Sequence, residues 1–175
     1  MPGIEIDLDP VQYILTDAIG QPGQRVFYIQ GKKDDQVITL IVEKIQVQTL
    51  AAGVEEFLNE INKRYPNLSP ASGDYKEEDM RIVPPVEPLF RVGELGLAYD
   101  STRDMMVLVA REIVTGEMQN EEANVVRFWC TRSQMLAMSR WGAEIVSRGR
   151  QICPLCGEPI DPAGHFCPKR NGHKH

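Results

Sequence analysis

Twice along this chain, runs rich in β-branched and aromatic residues give way to an apolar stripe at helical spacing, and this doubled order most limits the fold. In the first half, residues 11–18 (VQYILTDA) lead into IGQPGQ, where Pro22 and Gly23 suit the central pair of a type II turn. RVFYIQ and QVITLIVEK follow, separated by the polar GKKDD, so a three-stranded antiparallel meander is expected. From about Gln46 the period changes. Val47, Leu50, Ala51, Val54, Phe57, Leu58, Ile61 and Tyr65 recur at three- and four-residue steps, and Pro66 ends the helix they predict. In the second half, FRVGELGLAYD, MMVLVAREIV and VVRFWC are three further strands. Thr131 then opens a capping-box pattern with Gln134, ahead of a helix carrying Met135, Met138, Trp141 and Ile145 on one face.

The stretch between the halves, residues 66–88, holds five of the twelve prolines and a charge run, and reads as a linker or surface crossing. The expected architecture is therefore α+β. Residues 1–150 form a body of two strand-strand-strand-helix units, 1–65 and 89–148, whose antiparallel meanders pair edge to edge or face to face under two helices. Residues 151–175 form a separate zinc-binding tail, a small knuckle. The resemblance between the halves is one of element order, since few residues match between them.

At 175 residues the chain can bury a core without disulfides, and its 42% hydrophobic and 25% charged content is globular. No apolar run approaches the ~18 residues of a membrane span. The acidic start, MPGIEIDLDP, does not read as a secretory signal, so a cytoplasmic location with free or metal-bound cysteines is expected. The net charge of −6 is uneven. Residues 147–175 carry five bases and two acids, +3, which leaves −9 on the remainder. Such a body argues against nucleic acid and anionic membranes as partners.

The tail, CPLCGEPIDPAGHFCPKRNGHKH, contains three of the four cysteines and every histidine. The spacing C-x2-C-x8-H-x-C, in a segment too short and proline-rich to build a core, points to one Zn2+ per chain. Cys153, Cys156 and Cys167 supply thiolates. His165 is the preferred fourth ligand because it lies two residues from Cys167 on an extended segment; His173 is the alternative, and His175 is a third candidate. A shell of four protein ligands is structural, whereas a catalytic zinc keeps a position for water.

Elsewhere the chemistry is sparse. Cys130 has no histidine outside the tail to activate it and reads as a buried small hydrophobe. Met105, Met106, Met135 and Met138 fit core positions. Arg25, Arg91, Arg111 and Arg127 lie on or beside strands, where they either face a cleft and hold phosphate or carboxylate, or pair with Glu43, Glu94 or Glu112. Ion pairing is the favoured reading. No nucleotide-binding or hydrolase motif is present.

With GQPGQRVFYIQ, FRVGELGLAYD and CPLCGEPIDPAGHFCPKRNG together, the chain resembles the bacterial domain-of-unknown-function family 3090 over nearly its whole length. The family's tail pattern falls here on Cys153, Cys156, Asp161, Pro162, Gly164, His165, Cys167, Asn171 and Gly172, and does not call for a histidine at position 173. The resemblance implies no established activity. It implies a link to a histidine-phosphatase-like and a kinase-like protein, which similar proteins tend to be encoded near.

Three functions compete. The leading expectation is a non-enzymatic interaction or adaptor module with protein partners and a zinc-stabilised tail. An enzyme or binding protein for a small phosphorylated or carboxylated metabolite is the alternative, with Glu43 or Glu112 doing acid/base work. Single-stranded nucleic-acid binding ranks third, by analogy of element order alone.

Overall fold

The computed structural model describes residues 2–21, 23–148 and Leu155. Their architecture is α+β, a seven-stranded mixed sheet with two helices. Both expected meanders are present. The first consists of β2 (Tyr13–Ile19), β3 (Val26–Lys33) and β4 (Gln36–Val42), and leads into α1 (Lys44–Arg64). The second consists of β5 (Pro88–Asp100), β6 (Met105–Glu112) and β7 (Val125–Cys130), and leads into α2 (Arg132–Arg148). They join edge to edge where β4 and β5 pair in parallel. A short strand absent from the sequence reading, β1 (Glu5–Leu8), pairs in parallel with β7, so the order is β1-β7-β6-β5-β4-β3-β2.

Local chemistry sets the boundaries. Gly23 has φ 87° and the Gln24 N–H donates to the Gln21 carbonyl at 2.8 Å, the bond and backbone sign of the expected turn; Pro22 lies outside the described residues. The first hairpin loop is tighter than GKKDD suggests. Strand pairing persists to Lys33 and Gln36, and Asp34 takes the positive φ of 53° that closes a two-residue turn. The Thr131 capping box forms as expected, with the Gln134 N–H on Thr131 Oγ1 at 3.0 Å and the Thr131 N–H on Gln134 Oε1 at 2.9 Å.

Chain connectivity forces the sheet to curl. Six gaps of ~4.8 Å would put the edge strands β1 and β2 about 29 Å apart in a flat sheet. The five steps from Leu8 to Tyr13 reach no more than ~18 Å. The edges therefore meet: the Val11 N–H donates to the Trp129 carbonyl of β7 at 2.8 Å, and the next N–H, of Gln12, donates to the Lys32 carbonyl of β3 at 2.7 Å. β3 and β7 also touch across the interior. A Cβ on Gly31 would stand 2.6 Å from the Phe128 ring, so only glycine fits there.

Strand register sorts the side chains. Leu8, Ile29, Leu40, Met106, Leu108 and Phe128 lie on inward rows and are fully buried. α1 contributes Val47, Leu50, Val54, Leu58 and Ile61 to the same core, and α2 contributes Met135, Met138, Trp141 and Ile145. The helices pack on each other, and α2 lies on β2, where the Thr16 hydroxyl donates to the Met138 carbonyl at 3.3 Å.

Residues 66–88 are fastened down rather than loosely bridging. Asp17, Gln30 and Thr39 are buried on the outward rows of the first meander; Asp17 and Gln30 bind this crossing segment, and Thr39 binds Gln30. Gln30 Oε1 accepts from the Val83 N–H at 3.0 Å and from the Tyr13 hydroxyl at 2.9 Å, while its amide donates to Thr39 Oγ1 at 3.0 Å and to the Val83 carbonyl at 3.2 Å. Asp17 accepts from the Ile82 N–H at 2.9 Å and pairs with Arg81 at 3.3 Å. Thus buried polar groups, each satisfied, cover the outer face of the first meander with chain.

Candidate functional site

The residues expected to hold zinc, Cys153, Cys156, His165 and Cys167, lie outside the described residues, as do His173 and His175. Among the described residues no three His, Cys, Asp or Glu side chains group as a metal site.

The strand arginines do not converge. Arg25 donates to the Ile145 carbonyl near the end of α2 at 2.8 Å and lies over the Phe27 ring. Arg91 pairs with Glu43 at 2.8 Å, one of the partners expected from sequence. Arg127 pairs with Glu5 and, at 3.3 Å, with Asp7, both on the unforeseen β1. Arg111 stands opposite Glu94 in the β5–β6 register. Three of the four thus have protein partners in three separate places.

Cys130 is fully buried, and burial pushes its thiol up to about 12, so it offers no thiolate near neutral pH. Met106, Met135 and Met138 are likewise fully buried in the core, whereas Met105 is only half-buried and lies outside it. The core reading holds for Cys130, Met106, Met135 and Met138.

A polar cluster that sequence reasoning missed ties three segments together. Arg132, at the first turn of α2, donates to both Asp104 oxygens at 2.8 and 3.1 Å and to the Ser69 carbonyl at 2.8 Å. The Tyr99 hydroxyl donates to Asp104 at 2.7 Å. The Arg132 guanidinium holds the Asp104 carboxyl below its ordinary range. Desolvation, reinforced by the Asp104 carboxylate, raises Tyr99 to about 12. Asp104 has φ 52°, a left-handed conformation that aspartate tolerates. With every group partnered, the cluster is a clasp between the β5–β6 turn, α2 and the crossing segment.

The feature with unmet binding capacity lies beside β5. β4 pairs with β5 only as far as Ile41 and Arg91, then ends at Val42 and turns into α1. β5 continues to Asp100 with β6 on one side alone among the described residues. α1 runs along its other side: the Gln46 amide donates to the Val92 carbonyl at 3.1 Å, and the Tyr65 ring packs at a tilt against Tyr99 with centroids 5.8 Å apart. Between them is a groove of about 520 Å³, walled by Thr49, Leu50, Gly53 and Phe57 of α1 and by Gly93–Leu97 of β5. Gly53 and Gly96 leave it wide, since a Cβ on either would meet nothing within 4 Å.

The strand edge facing this groove carries main-chain donors and acceptors. The Glu112 N–H donates to the Asn124 carbonyl, so Glu112 faces away from β5. Alternation then turns Arg111 and Val109 toward β5, where they oppose Glu94 and Gly96. Leu95 and Leu97 consequently direct their N–H and C=O groups away from β6, along the open edge.

No helix among the described residues is long and apolar enough to cross a membrane. No curated protein and no solved structure matches the chain. A family model does match, that of a protein of unknown function (DUF3090), over residues 6–167, and the chain belongs to the DUF3090 family.

Proposed function

We propose that this protein is a non-enzymatic interaction module for protein partners, with a C-terminal segment organised by one structural Zn2+ on Cys153, Cys156, His165 and Cys167. The observation that carries the module reading is the β5 edge beside α1, open among the described residues, because an exposed edge is a template for pairing with another chain. The metabolite-enzyme reading needs its arginines on one cleft, and Arg25, Arg91 and Arg127 bind at separate places. The zinc rests on the chemistry of its donor set: three thiolates and an imidazole suit a closed tetrahedral shell.

Site-specific photocrosslinking of the full chain in its native cells tests the module, with reporters on the groove at Thr49 and on distant surfaces such as Glu117 and Glu144. Discrete protein adducts are expected; their absence at every position would refute the reading. For the metal, Cys153→Ser, Cys156→Ser, Cys167→Ser and His165→Ala should each lose zinc by elemental analysis, while His173→Ala and His175→Ala retain it. In the cobalt-substituted protein, azide should leave the visible spectrum unchanged, and azide-dependent bands would reveal an open coordination position instead.

A further inference from the structure

We infer that the groove between α1 and β5 accepts one extended polypeptide segment of a partner protein, added as a strand to β5, with apolar side chains at alternate positions facing inward and lysine or arginine between them. This rests on the module reading and names the chemistry of its partner.

The backbone argument comes first. Leu95 and Leu97 offer N–H and C=O groups to a strand lying ~4.8 Å away, and α1 forms the opposite wall, so an occupant pairs on one edge and packs against a helix. The Gln46 amide occupies the Val92 carbonyl and closes one end of this edge. Side-chain alternation then fixes the pattern. Leu95 and Leu97 stand on the inward row with Ala110 and Leu108, so every second residue of an added strand would enter the apolar space they share with Leu50, Gly53 and Phe57. The intervening residues would lie on the outward row of Glu94.

Charge selects among such segments. Glu94 lines the groove, and helical spacing puts Glu56 and Glu60 on the stripe of α1 that continues Thr49. Glu60 has Lys63 beside it at 3.4 Å, and Arg111 stands one strand beyond Glu94, so the rim is acidic rather than uniformly so. Cationic residues between the apolar ones complement it, whereas an acidic segment would meet like charge. The groove also excludes the β5 edge of a second copy. That strand carries its own β6 on one side and its own α1 on the other, so it is not a free segment that can lie between β5 and α1.

The test uses the full-length chain and a phage-displayed library of random nonapeptides. Enriched sequences should alternate apolar residues with lysine or arginine. N-methylation of synthetic versions at one alternate set of amides should abolish binding, and at the other set should not. Gly53→Leu should weaken binding at least about tenfold, with the melting temperature unchanged or raised. If Gly53→Leu proves unstable, Glu56→Lys with Glu94→Lys provides the second probe, and must weaken the same cationic peptides. Selected peptides without alternation, binding that ignores both variants, or a library with no binder would each overturn strand addition. A concentration-dependent dimer abolished by Gly53→Leu would put a second copy in the groove and overturn it too. The module reading fails separately, only if crosslinks are missing everywhere on the chain.

Discussion

The two meanders share an element order but not a covering. In the first, the outward row of Leu15, Asp17, Gln30 and Thr39 is buried under the crossing segment, and inward Thr16 touches α2. In the second, β5 keeps Gly93, Glu94, Gly96 and Ala98 exposed and one edge unpaired among the described residues. The same supersecondary unit therefore serves as scaffold where the chain folds back over it, and as an available surface where it does not. Covering, rather than strand sequence, separates the two roles.

The largest expected effect falls on the covered side. Gln30→Leu leaves Thr39 and both main-chain groups of Val83 without their partner, and should destabilise the protein by about 3 kcal/mol in urea unfolding. A loss below about 1 kcal/mol would mean that the crossing segment is not fastened as described. Next comes the clasp that ties the second half to the crossing segment. Asp104→Asn should cost about 2 kcal/mol near neutral pH, the half-exposed carboxylate being partly screened by water. Because Arg132 lowers the folded pKa of Asp104, this stabilisation is present above the ordinary carboxylate value of about 4 and is lost as pH falls through the folded pKa. The gap between wild type and variant should close in acid; a gap independent of pH would remove the ion pair as its cause.

Two glycines compare the regions directly. Gly31→Ala, with the Phe128 ring 2.6 Å from the new methyl, should cost about 1–3 kcal/mol. Gly53→Ala, in a helix and facing open space, should instead stabilise by up to about 1 kcal/mol. Thermal melts giving both the same sign would erase the contrast. The smallest effect belongs to Arg91→Ala, whose pair with Glu43 is exposed on both sides and should shift stability by less than about 0.5 kcal/mol. A larger loss would make that pair part of the β4–β5 join.

Sequence periodicity reveals what is local. Both meanders, both helices and the Thr131 cap were legible because each depends on residues a few positions apart. β1 was not. Its four residues, EIDL, gain strand character only from β7, where Arg127 and Trp129 take up Glu5 and Asp7 and the interior takes Leu8. The groove escaped for a related reason. Nothing in GELGL says that β4 stops short of it; the open edge follows from where two distant strands part. The clasp joins Ser69, Tyr99, Asp104 and Arg132, polar residues that look unremarkable until the fold gathers them.

The pairing of β1 with β7 also sets an order of events during synthesis. Leu8 is made 120 residues before its partner Phe128. At roughly 5–20 residues per second, a ribosome takes about 6–24 s to cover that interval. Before it ends the nascent chain has made β2, β3, β4 and α1, but cannot form the seam that joins its first strand to its last. The seam is a late, long-range closure, so a partner supplying a strand of its own during translation would compete with β1 before it competed with anything else.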